Sequence, residues 1–122
     1  TLPEDFPLRG VIHAAGTLRD QRTEAIDPQS LQFVLDSKWG VADRLTALRR
    51  QAPQLWDDLD FELIFSSIAA GLGSPGQLVY SAANGAVEGA CLNGSAVAPV
   101  RLAIQWGALG RLWNGRRSGA SL

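Results

Sequence analysis

Three short apolar runs alternate with two longer stretches of helical periodicity along this chain. The runs are RGVIHAAG (residues 9–16), FELIFSS (61–67) and VRLAIQW (100–106). Each has the length of a strand and is nearly continuous in apolar character. That pattern predicts a parallel sheet covered on both faces. After the first run, Asp27-Pro28 offers an N-cap followed by proline at the first helical position. Leu31, Val34, Leu35, Val41, Ala42, Leu45 and Leu48 then recur at helical spacing, and Pro53 closes the segment. Arg49 and Arg50 suit its negative C-terminal end. Residues 77–92, rich in alanine, predict a second helix that stops before Asn93-Gly94-Ser95. Strand, helix, strand, helix, strand with right-handed crossovers makes an α/β fold, half of a doubly wound parallel sheet of Rossmann type. The tail from Gly110 has no clear periodicity and is expected to be loop.

Composition narrows the class. The 122 residues suit one domain or a part of one. With 46% hydrophobic and 19% charged residues and no run long enough to span a bilayer, a soluble, cytoplasmic protein is expected, with no membrane partner. A net charge of −1 gives no electrostatic footprint for nucleic acid, and Arg111, Arg116 and Arg117 are too sparse to supply one. Cys91 has no internal disulfide partner, which favours a reducing compartment, and reads as a small helix hydrophobe. One histidine and one cysteine exclude a His/Cys metal cluster. The acidic, proline-broken start has no signal-peptide pattern, and a chain without methionine is expected to be an excised fragment.

Ligands of open parallel sheets bind beyond the carboxyl ends of the strands. There the chain places His13-Ala14-Ala15-Gly16, then Ser66-Ser67, then Trp106-Gly107. Lys38 breaks the first helix pattern, because it lies three or four positions from Val34, Leu35, Val41 and Ala42 on the apolar face. Such a lysine either snorkels outward or holds its ammonium in a cleft. Tyr80 and Asn84, four apart, share a face of the second helix; alone, that pair is ordinary packing. Gly71-Leu-Gly-Ser-Pro-Gly76 imitates the spacing of a dinucleotide loop. A true loop of that kind opens a helix after the first strand of its unit, with an acid about twenty residues on. This one follows the strand that ends in Ser67, and reads instead as a turn leading to Tyr80.

In combination these residues are more specific. GVIHAAGTLRD, LDSKWGVADRL, FELIFSSIAAGLGSPGQLVYSAANGAVEGA and AIQWGALG together resemble the ketoreductase domains of modular polyketide synthases and animal-type fatty acid synthases. These belong to the short-chain dehydrogenase/reductase superfamily. Free-standing members typically carry lysine four residues after the tyrosine and asparagine on the earlier helix. Here the two are exchanged, as in the megasynthase domains. The resemblance implies NADPH-dependent reduction of a β-ketoacyl thioester carried on the phosphopantetheine arm of an acyl carrier protein.

By the same resemblance Tyr80 is the proton donor and Ser67 a second donor to the carbonyl oxygen, where negative charge develops. Lys38 supplies a cation that helps a phenol give up its proton and holds the nicotinamide ribose, and Asn84 positions Lys38 or a relay water. His13, Ala14, Ala15 and Gly16 line the cofactor cleft together with Lys38 and Tyr80. Asp20 matches the last position of a Leu-Asp-Asp motif whose middle residue is here Arg19, and Leu72 stands where the opposite stereochemical class carries tryptophan. Both imply a B-type alcohol, with Pro75 and its glycine loop bordering the substrate. The resemblance also implies a partial domain (residues 1–122, the catalytic C-terminal part), whose nucleotide-phosphate-binding half precedes residue 1. The remainder of the domain and the parent synthase would then be its partners, and the chain alone is expected to be inactive. A lid should follow the third strand, with Trp113 a candidate contact. The rival reading is a structural or inactive module of a megasynthase.

Overall fold

The computed structural model describes residues 6–92 and 100–107. Three strands, β1 (Gly10–His13), β2 (Phe61–Ser67) and β3 (Val100–Trp106), form a parallel sheet in the order β1-β2-β3. Gly10 pairs with Phe61, and Phe61 with Val100, so the carboxyl ends of β2 and β3 finish together at Ser67 and Trp106. β1 is shorter than its apolar run. It stops at His13, whose ring turns into the helical layer, and Ala14 to Gly16 continue as exposed backbone.

The first long helical segment begins at Asp27, whose carboxylate accepts hydrogen bonds from the Ser30 N–H and hydroxyl, both 2.8 Å. It comprises α1 (Pro28–Leu35), a π-helical turn (Asp36–Gly40) and α2 (Val41–Gln51). Sequence periodicity predicts one regular helix; the wide turn in its middle is the difference. The reason lies in which side chains are buried: Ser30, Val34, Lys38 and Ala42, all within 4% exposure and each four residues after the last. In a regular α-helix, positions eight apart drift by about 80°. One extra residue in a wide turn removes that drift and keeps Lys38 on the buried stripe.

The short helix α3 (Ala69–Leu72) ends at Gly73, whose φ of 72° and ψ of 172° make a backbone conformation that favours glycine. Helix α4 (Leu78–Leu92) returns across the sheet. Val34 of α1 packs with Val79 and Ala83 of α4, while Ala42 of α2 and Val87 of α4 close on Ile64 of β2. Beside Ile64, the buried Glu62 meets Arg101 at 3.0 Å and Arg49 at 3.9 Å, tying β2 to β3 and α2. Cys91 packs against the Ile64 cluster, and burial pushes its thiol pKa up, as suits a small hydrophobe.

The apolar strands predict cover on both faces. Among the described residues helices cover one face only. Alternate strand residues point the other way, leaving Ile12, Val100 and Leu102 about half exposed or more. No helix among the described residues is long and apolar enough to cross a membrane. The expectations for the tail and for Trp113 lie outside the described residues.

Candidate active site

Lys38 resolves the choice between snorkelling and a cleft. Its side chain is 4% exposed, and Nζ donates to the Phe65 carbonyl of β2 at 2.5 Å. Burial lowers its pKa from the ordinary lysine value. Gly16 makes the passage possible, since a Cβ there would meet Lys38 Cε at 2.6 Å. The wide turn thus delivers a cation to the carboxyl end of β2, between the backbone that leaves β1 and the strand leading to Ser67.

Ser67 is the last residue of β2. Its Oγ accepts the Ala69 N–H at 3.2 Å, which fixes the hydroxyl at the start of α3 and leaves its proton free to donate. Tyr80 lies in the first turn of α4, half-buried against Val34, Val79 and Ala83. Asn84, one turn on, is fully buried; its Nδ2 donates to the Tyr80 backbone carbonyl at 2.8 Å, while Oδ1 has no protein partner. A buried amide oxygen without a partner is costly unless a cation or water meets it.

Three further expected residues are on the surface. Asp20 accepts from Gln77 Nε2 at 3.2 Å, just before α4, and the neighbouring Gln21 N–H donates to the Gly76 carbonyl at 2.9 Å. The segment after β1 is therefore fastened to the loop that precedes Tyr80. Leu72 is 83% exposed at the end of α3, and Pro75 is exposed between two glycines of positive φ. That loop ends one helix and hands the chain to the next.

Two features escape a reading by residue type. Ser37, in the π turn, accepts the Thr17 N–H at 3.2 Å, and its spacing in the sequence gives no sign of this. Glu88 of α4 accepts from the buried Ser66 hydroxyl and from Gln105 of β3, joining the helix of Tyr80 to the ends of two strands. Ser66 reads as a neighbour of Ser67, yet it faces the opposite side of the sheet. Ala14, Ala15 and Gly16 are exposed, and Gly16 lies against the Lys38 side chain. Among the described residues no cluster of His, Cys, Asp and Glu could hold a metal.

The parallel sheet and the helices that cross it make a Rossmann-type α/β arrangement. Residues 1–111 match the family model of the ketoreductase (KR) domain. The chain belongs to that family. It is 36% identical over 115 residues to the 6-methylsalicylic acid synthase of Penicillium terrestre, covering 94% of this chain and 6% of the synthase. It is 38% identical over 102 residues to erythronolide synthase EryA2 of Saccharopolyspora erythraea, covering 83% of this chain and 3% of that protein. An A-type ketoreductase structure from a modular polyketide synthase superposes with a TM-score of 0.78 and 32% identity, covering 89% of this chain and 22% of the other. A short-chain dehydrogenase from Mycobacterium avium shares the fold, with a TM-score of 0.65 at 24% identity. The chain therefore spans a small part of the synthases it matches.

Proposed function

We propose that the chain is the catalytic part of a ketoreductase domain. It would reduce a β-ketoacyl thioester, presented by an acyl carrier protein, to the β-hydroxyacyl thioester. The observation that carries this reading is the buried Lys38 ammonium on the Phe65 carbonyl, two residues before Ser67, with Tyr80 and Asn84 one turn apart on the neighbouring helix. A cation buried at the carboxyl end of a parallel strand needs a chemical reason.

The backbone of His13 to Gly16 and the Lys38 ammonium would hold NADPH, which would supply hydride when bound. The protein's own work is at the substrate oxygen. Ser67 donates a hydrogen bond to the carbonyl and Tyr80 transfers its proton as charge develops there, so hydride and proton together complete the alcohol. Lys38 stabilises the phenolate left on Tyr80. The unpartnered Asn84 Oδ1 accepts from Lys38 or from the water that restores the proton.

The nucleotide-phosphate half of the domain is assigned to chain outside these residues, within a cytoplasmic parent synthase. Asp20 and Leu72 favour a B-type product. One Mycobacterium tuberculosis relative, a phenolphthiocerol synthesis polyketide synthase 39% identical over 103 residues, carries a name that marks it inactive, which keeps an architectural role as the second reading. Incubating the whole domain with NADPH and a carrier-bound β-ketoacyl thioester separates the two. The β-hydroxy product is expected, and an unchanged ketone with bound NADPH supports the architectural role.

A further inference from the structure

The backbone that leaves β1 is fastened to the π turn at two points. The His13 ring is 4% exposed, and its Nε2 lies 3.0 Å from the Lys38 backbone carbonyl. A carbonyl only accepts, so Nε2 carries the proton and Nδ1 is bare. Four residues on, the Thr17 N–H donates to Ser37 Oγ, and that hydroxyl donates to the Val34 carbonyl at 2.8 Å. The two tethers grip consecutive residues, Ser37 and Lys38, in the middle of the wide turn. The Lys38 carbonyl also receives the Val41 N–H, so His13 adds a second donor to a group already in the helix.

A π turn needs such support. It stretches the hydrogen-bonding ladder by one residue and is less stable than the α turn into which it can relax. Relaxation here would rotate Ala42 and the rest of α2 by about 80° relative to Val34, so Val34, Lys38 and Ala42 would no longer face the core as one stripe. Lys38 would be the residue to leave, because an ammonium gains hydration outside. Gly16 leaves the gap through which Lys38 passes, but a gap admits the side chain without holding it.

We propose that His13 and Ser37 are positioning residues that lock the π turn and so hold the Lys38 ammonium on the Phe65 carbonyl. Neither touches the substrate. The proposal rests on the reading of Lys38 as the cation of a reductase site, and it assigns that cation its support.

The test is the titration of Lys38 itself, in the ketoreductase domain carrying lysine labelled with carbon-13 at Cε and with the signal assigned by its loss in Lys38→Arg. The wild-type signal is expected to titrate below the ordinary lysine range. His13→Phe and Ser37→Ala should each return it toward that range, and His13→Gln, whose amide N–H reaches the Nε2 position, should restore the lowered titration. In NADPH consumption, kcat should fall about 10-fold in the first two variants with KM less affected, and should recover in His13→Gln. An unchanged Lys38 titration in both His13→Phe and Ser37→Ala overturns the proposal, as does a shift that His13→Gln leaves unrepaired. Should His13→Phe fail to fold, Ser37→Ala decides alone. The titration needs no turnover: a domain that never reduces a ketone yet shows the shift refutes the reductase reading and keeps the clamp.

Discussion

Lys38 and Phe65 are joined by a 2.5 Å hydrogen bond from ammonium to backbone carbonyl, across the gap between a helix and the central strand. The strand carries Ser67 two residues later, so the position of the charge and that of the hydroxyl are set by the same backbone. Replacing Lys38 by methionine keeps the length of the side chain and removes the charge. A fall in kcat of about 10²-fold or more is expected, measured as thioester-dependent NADPH oxidation, with the fold retained by circular dichroism. A variant that keeps its rate would remove Lys38 from the mechanism.

Gly16 tests the same charge from the other side. A Cβ at this position would lie 2.6 Å from Lys38 Cε, and the flexible side chain gives way before the backbone does. Gly16→Ala should therefore fold normally and lose about 10²-fold in kcat through misplacement of the ammonium. Loss of folding instead, seen as a lowered Tm, would show that glycine serves the backbone there.

Acid should weaken the fold through His13. Burial is the largest influence on the ring and lowers its pKa below 6.5; the Lys38 cation acts the same way, against the Lys38 carbonyl and Glu62. The unfolded chain then binds the proton first. Stability is whole above about pH 6.5, is lost as the pH falls from there, and stops falling below the lowered native pKa. Urea midpoints at pH 7.5 and 5.5 should differ more in wild type than in His13→Gln. Equal differences would show that other groups drive the acid limb.

Glu62 offers a stability measurement remote from the chemistry. It is 1% exposed and faces the Arg101 and Arg49 guanidinium groups, so Glu62→Ala leaves two cations without their counter-charge. A loss on the order of 3 kcal/mol in urea unfolding is expected, because breaking a buried pair strands its partner. A change under about 1 kcal/mol would mean that the arginines find solvent at once.

Much of this architecture is legible in the sequence, for physical reasons that differ by element. The strands announce themselves because a parallel sheet needs apolar runs, and Asp27-Pro28 marks a helix start by capping chemistry alone. Tyr80 and Asn84 are readable as a pair because helical spacing places them one turn apart. The π turn is not readable that way. A five-residue wide turn is a compromise between buried side chains and backbone bonding, and it shows only when Ser30, Val34, Lys38 and Ala42 are seen on one stripe. Ser37 and Glu88 stay hidden for a related reason, since their partners Thr17, Ser66 and Gln105 come from distant segments. Cover for the second face of the sheet is implied by the apolar strands, but not supplied by the described residues.

The central claim is that Tyr80 gives its proton to a ketone oxygen, and one measurement addresses it directly. Thioester-dependent NADPH consumption by the ketoreductase domain should be compared with that of Tyr80→Phe, with cofactor binding followed by NADPH fluorescence. The account predicts a loss of about 10²-fold to 10⁴-fold in rate with binding unchanged, the range expected for a general acid. A Tyr80→Phe domain that reduces the ketone at the wild-type rate would contradict it.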